Sequence, residues 1–227
     1  MPQRPDLVVF DVNETLSDLS VLADRFVEAG APAHLAATWF AALLRDGFAL
    51  TVTGANPAFA EVGTGVLRGL LAGHVPDHDR DAAVVTVMAA FGELGVHPDV
   101  VPGVRALRRA GHRLVTLTNG AAAVPDGLLT RTGIRDQFER LMSVEDAGAW
   151  KPARRAYEFA AQQCGVPIGD ALLVAVHPWD IHGAKVAGMR AAWIRRDAAP
   201  YPAHFVAPDV VATGVDDLAE QLAAAGG

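Results

Sequence analysis

Short apolar runs that alternate with helical patterns constrain this chain more than any other feature of it. Leu7–Phe10, Arg113–Thr118, Leu141–Val144, Ala171–Val176, Ala191–Ile194 and, weakly, Val210–Val211 read as strands. Most are continuously apolar, the pattern of strands buried on both faces. Helical stretches lie between them near Val104–Ala110, Ala121–Thr132, Ala153–Cys164 and Ile181–Ala187. Gly111, Gly133, Gly165 and Gly188 follow these stretches, where a left-handed helix end belongs. Such alternation predicts an α/β fold with a parallel sheet and helices on both faces.

The interval from Ser17 to Gly95 breaks the rhythm. It reads as helices at Val21–Ala29, Ala33–Arg45, Pro57–Leu71 and Asp79–Leu94, with no strand. The expected organisation is an α/β core formed by 1–16 and 96–227, with a helical-bundle cap, 17–95, inserted after the first strand. The longest apolar-rich run, Ala82–Phe91, is about half of what spans a bilayer. No targeting segment is evident at the start.

Charge and cysteine content narrow the partners. The 19 basic residues against 26 acidic ones leave a net charge of −7, the wrong sign for a nucleic-acid or anionic-membrane surface. The single cysteine, Cys164, cannot form an internal disulfide, and a reducing, cytoplasmic setting is expected. Only Lys151 and Lys185 are lysines; every other basic residue is arginine. A lysine kept in such a chain points to a need for a compact ammonium, although Lys185 reads equally well as a helix-surface residue.

Ligands of open parallel sheets bind at the carboxyl ends of the strands. Strand one is followed by Asp11-Val12-Asn13-Glu14-Thr15, and strand two ends in Thr118-Asn119-Gly120. Trp150-Lys151-Pro152 follows strand three, and His177-Pro178-Trp179-Asp180 follows strand four. One crevice thus collects an acid, a hydroxyl–amide pair, a lysine and a His/Asp group. Taken singly, each has an ordinary structural reading: Asp11 as a helix cap or turn acid, Asp180 as a helix cap, Thr118-Asn119-Gly120 as a turn, Lys151 as a loop-surface lysine, Glu14 as a solvated residue and His177 as a satisfied polar residue at a strand end. His177 and His182 are five apart, off the helical face of a two-histidine metal site, and no metal or other cofactor is expected. Gly63-Thr64-Gly65 follows no strand, which leaves a dinucleotide reading weak.

This order of parts resembles the haloacid dehalogenase (HAD) superfamily over nearly the whole chain, and within it the L-2-haloacid dehalogenases. The resemblance implies a Rossmann-like core, a homodimer, and a nucleophile at Asp11. It also implies site positions at Thr15, Thr118, Asn119, Lys151, Tyr157 and Asp180, with Phe40 and Phe59 lining the halide end. Asn13 and Trp179 join the expected substrate side.

Residue chemistry separates two reactions that such a scaffold supports. A phosphatase of this superfamily uses Mg²⁺ and an acid two residues after the nucleophile to protonate the leaving oxygen. That position is Asn13, and the acid expected four residues before Asp180 is Val176. A carbon electrophile losing halide needs neither. The expected activity is therefore metal-independent hydrolysis of small 2-haloalkanoic acids through an ester on Asp11. The rivals are a Mg²⁺-dependent phosphatase and a non-catalytic protein that binds a small carboxylate.

Two departures from the family pattern stand out. Phe40 replaces the Arg that follows the cap tryptophan, and Arg45 lies about 140° further around the helix. His177 replaces an Asn, and Asn13-Glu14 stands where an aromatic residue is usual. The paired change predicts a Glu14–His177 dyad that activates the hydrolytic water, with or in place of Asp180.

Overall fold

The computed structural model describes residues 5–225. Strand β1 (Leu7–Phe10) leads into four helices: α1 (Leu22–Glu28), α2 (Leu35–Val52), α3 (Phe59–Leu71) and α4 (Asp77–Gly92). Then come α5 (Val100–Arg109), β2 (Arg113–Thr118), α6 (Ala123–Arg131), β3 (Arg140–Ser143), α7 (Val144–Ala147) and α8 (Arg154–Cys164). The chain continues through β4 (Ala171–Ala175), α9 (Pro178–Ala187), β5 (Arg190–Ile194), β6 (Val210–Ala212) and α10 (Val215–Ala225). Among the described residues the sheet is six-stranded and parallel, in the order β3-β2-β1-β4-β5-β6.

β1 is central and fully buried, with Val9 in register with Val115 on one side and Leu173 on the other. The strand order reverses there, which opens a crevice at its carboxyl end. Side chains of β1 alternate between two cores. Leu7 and Val9 join Val115, Leu117 and Leu173 against α8, α9 and the inserted helices. Val8 and Phe10 join Leu114, Leu172 and Val174 against α5 and α10. Each large side chain buried this way contributes about 1.5–3 kcal/mol, which ties both helix layers to the strand that carries the crevice.

The chain leaves the sheet and returns to it side by side. Ser17 forms an antiparallel bridge with Val96, the Asp18 amide donates to the Gly95 carbonyl (2.9 Å), and the His97 amide donates to Leu16 (3.0 Å). Aromatic rings fasten the inserted helices. Phe59 stacks on Trp150 at 5.8 Å and on Phe91 at 5.3 Å, and the Trp150 indole donates to the Pro57 carbonyl.

The four glycines expected at helix ends have φ between +66° and +98°. The second inserted helix differs from expectation, running to Val52 rather than stopping at Arg45. Arg45 and Asp46 interrupt the apolar run but lie on the outer side of the helix, paired at 2.8 Å, and the packed face resumes beyond them at Gly47. α2 is therefore the longest apolar helix, not Ala82–Phe91. By length and composition alone it could cross a membrane (18 residues, mean hydropathy 1.3), yet Leu35, Trp39, Phe40, Leu43 and Leu44 are buried within the protein. α7 and α10 lie outside the sequence expectation.

Candidate active site

Asp11 follows the last residue of β1, and its amide donates to the Val174 carbonyl of β4. Its carboxylate is held from two sides: Lys151 Nζ donates to Oδ1 at 2.8 Å and Thr15 Oγ to Oδ2 at 2.7 Å. The Thr15 oxygen accepts the Val176 amide (3.1 Å), which leaves its proton for Asp11. A carboxylate fixed this way keeps one orientation.

Lys151 is fully buried and bridges two acids, donating also to Asp180 Oδ2 at 2.6 Å. Burial by itself would lower its pKa; Asp11 and Asp180 outweigh that and hold it above the usual lysine value. The ammonium stays charged. Burial holds the Asp180 carboxyl above the usual carboxylate range, opposed by the Lys151 ammonium and helped by the Asp11 charge. Tyr157 donates to Asp180 Oδ1 at 2.6 Å, and burial with the adjacent carboxylate raises its phenol well above its ordinary value. The phenol therefore remains a donor.

The backbone of Lys151 is clamped by Asn119, whose Oδ1 accepts the Lys151 amide (2.9 Å) and whose Nδ2 donates to its carbonyl (3.3 Å). Thr118 Oγ accepts the Gly120 amide (3.0 Å) and keeps its own proton to give. Of the expected site positions, Thr15 thus binds Asp11, Asn119 binds the Lys151 backbone and Tyr157 binds Asp180. Asn13 is buried beside them.

The loop after β4 brings His177 alongside. Its Nε2 lies 3.5 Å from Glu14 Oε2 and 3.9 Å from Asp11 Oδ2. The imidazole stacks on Trp179 with centroids 5.0 Å apart and planes at 16°, and Phe40 packs 6.1 Å from it. Glu14 is the only non-glycine with positive φ (+60°) among the described residues. That conformation costs roughly 1–2 kcal/mol, and it turns the Glu14 carboxylate toward His177. Burial raises the Glu14 pKa, the His177 charge opposes the rise, and Asp11 adds to it. A cavity of about 570 Å³ opens on the far side of Glu14, lined also by Phe40, Val176, Pro178, His97 and Arg196.

Two side chains outside every motif reach this loop. His97 Nε2 hydrogen-bonds the Glu14 carbonyl at 3.1 Å, and Arg196 donates to the Thr15 carbonyl at 2.6 Å. Arg196 follows β5, so reading a fifth strand end would have found it. Lys185 has no place here: it pairs with Asp209 at 2.6 Å.

The donor set does not suit the divalent cation used by many proteins of this fold. Asn13 and Val176 supply no carboxylate, and Lys151 occupies an oxygen of both Asp11 and Asp180. Among the described residues no group of three or more His, Cys, Asp or Glu could hold a metal ion.

Gly183 keeps the Asp180 corner open. A Cβ there would lie 2.5 Å from the Tyr157 oxygen and 2.6 Å from Pro152 Cβ. Gly183→Ala is expected to cost about 1–3 kcal/mol through overpacking, read by urea unfolding.

A parallel sheet interrupted after its first strand, with acid, lysine and second acid converging from successive strand ends, defines the haloacid dehalogenase-like fold and site. The family model for haloacid dehalogenase-like hydrolases matches residues 5–188, and the chain belongs to that family. It is 33% identical over 126 residues to haloacetate dehalogenase H-2 of Moraxella sp. (strain B), covering 56% of each chain. It is 31% identical over 142 residues to the (S)-2-haloacid dehalogenase of Pseudomonas sp. (strain YL), covering 63% of this chain and 61% of that one. The matched stretches thus span about three-fifths of these relatives. The crystal structure of L-2-haloacid dehalogenase RSc1362 superposes with a TM-score of 0.90 at 28% identity, over 97% of this chain and 100% of that one.

Proposed function

We propose that this protein hydrolyses the carbon–halogen bond of small 2-haloalkanoic acids without a metal, through an ester on Asp11. The observation that carries the reading is the buried Lys151 ammonium shared by Asp11 and Asp180, beside an amide, Asn13, where a phosphatase needs an acid. The ammonium lies against the Asp11 carboxylate, and Thr15 and Lys151 fix its direction. A carboxylate oxygen attacks C2 of the substrate, the C–X bond breaks, and halide departs with its electron pair, inverting C2. No proton is required for that departure.

Alkylation removes the charge of Asp11. Lys151 then pairs with Asp180 alone, and the ester carbonyl is left with His177 and Glu14 on its open side. His177, oriented by Glu14, takes a proton from water while the water oxygen adds to the Asp11 carbonyl carbon. Collapse of the adduct breaks the ester C–O bond, the departing alkoxide takes the proton held by His177 to give the 2-hydroxy acid, and loss of the water's second proton restores the Asp11 carboxylate. Phe40 and Phe59 make the halide end apolar, and Trp179 supports the imidazole. The inserted helices act as a cap that excludes water during displacement. The working form is a cytoplasmic homodimer, as the family resemblance implies.

Halide release from chloro-, bromo- and fluoroacetate and both 2-chloropropionate enantiomers, with and without EDTA, tests the reading. Release unchanged by EDTA is expected. No release from any of them, with Mg²⁺-stimulated phosphate release from an aryl phosphate, would replace it with the phosphatase. His177→Ala and Glu14→Gln are each expected to slow ester hydrolysis by about 10²- to 10⁴-fold while leaving alkylation in place. Intact mass in a stopped turnover should then show the ester accumulating.

A further inference from the structure

Glu14 holds a left-handed backbone conformation that a glutamate does not choose by itself, so something outside the loop must hold it. Three consecutive carbonyls of that loop accept hydrogen bonds from distant groups. Glu14 receives His97 Nε2 (3.1 Å), Thr15 receives Arg196 Nη2 (2.6 Å), and Leu16 receives the His97 amide (3.0 Å). Arg196 is itself fixed by Asp99, with Nη1 to Oδ1 at 2.9 Å and Nη2 to Oδ2 at 3.3 Å. Asp99 Oδ2 also accepts the Val215 amide at the start of α10 (2.7 Å). The guanidinium holds the Asp99 carboxyl below the usual carboxylate range against the effect of burial, so the pair stays ionised.

None of these groups bonds to the Asp11 carboxylate, which is held by Lys151 Nζ and by the Thr15 hydroxyl, and that hydroxyl is anchored separately by the Val176 amide. We propose that Arg196, anchored by Asp99, and His97 are positioning residues for the second half-reaction: they set the backbone that aims Glu14 at His177, and leave the nucleophile's own geometry to other contacts. The proposal rests on the ester mechanism above. It predicts a split between the two chemical steps that a purely structural clamp would not produce.

The test uses the whole protein with 2-bromopropionate, following the bromide burst for alkylation and loss of the Asp11 ester by quenched-flow mass spectrometry. Arg196→Met is expected to slow ester hydrolysis about 10- to 100-fold, the scale of a misplaced catalytic group, with the burst unchanged. Arg196→Lys should recover part of the rate. In a Glu14→Gln background Arg196→Met should cost nothing further, because the residue it aims has already been disabled. Equal slowing of both steps, or losses that multiply in the double variant, would overturn the proposal.

His97→Leu, which removes only the Glu14 bond, is expected to give the same split and covers the case in which Arg196→Met does not fold. A substrate-free readout separates this idea from the mechanism it rests on. Glu14→Gln should move the NMR resonances of the His177 ring, which lies 3.5 Å from the Glu14 carboxylate, and Arg196→Met should move them the same way. An imidazole moved by Glu14→Gln and unmoved by Arg196→Met refutes the positioning role, whether or not an ester ever forms.

Discussion

Asp11→Asn should abolish halide release, lowering it by on the order of 10⁴-fold or more, as removal of a covalent nucleophile does elsewhere. The neutral amide is a poor nucleophile toward carbon and cannot be regenerated as a carboxylate by ester hydrolysis. The fold should survive: Lys151 keeps its 2.6 Å bond to Asp180, and Thr15 keeps the Val176 amide. A variant with an unchanged melting temperature and no turnover separates loss of chemistry from loss of structure. In the wild type, a single turnover in ¹⁸O-water with enzyme in excess should place the label in the peptide containing Asp11, because water adds to the acyl carbon. Label in the hydroxy acid instead would mean that water attacked C2 directly. Full halide release by Asp11→Asn would remove the nucleophile from the mechanism altogether.

Lys151→Met is expected to act on stability and activity together. The ammonium is fully buried between two carboxylates, and its loss leaves them facing each other without water. Breaking a buried ion pair by removing one partner typically costs about 3–5 kcal/mol. The strain can be relieved by protonating one acid, and a protonated Asp11 is no longer a nucleophile. Urea unfolding should show the destabilisation, and halide release should be lost even where the variant remains folded. Lys151→Arg should not rescue it, because a planar guanidinium cannot occupy the compact position between Asp11, Asp180 and the Asn119-clamped backbone. A Lys151→Met protein as stable and active as the wild type would show that the charge is dispensable.

Much of this arrangement is legible in the sequence because Asp11 directly follows one continuously apolar run, and Lys151 and Asp180 come shortly after two others. Leu7–Phe10 dictates where Asp11 sits, and the order of strands brings Lys151 and Asp180 to the same end. The partner of each polar atom is harder to read. Thr15, Asn119 and Tyr157 lie in the expected crevice, but spacing alone does not tell whether a hydroxyl or amide turns to a ligand or to a neighbouring catalytic group. Arg196 and His97 carry no motif; their importance comes from a carbonyl direction, set by the left-handed turn at Glu14, that sequence patterns do not encode. The extent of α2 was obscured for another reason. Arg45-Asp46 resembles a helix end until the two charges are seen to satisfy each other on the outer side.

The near-total replacement of lysine by arginine has a practical corollary. With Lys151 sealed inside, Lys185 is the one lysine amine that reagents can reach, 22% exposed on α9 and tethered to Asp209. Of the two lysines, amine-selective acylation should therefore modify Lys185 and spare Lys151, leaving turnover intact.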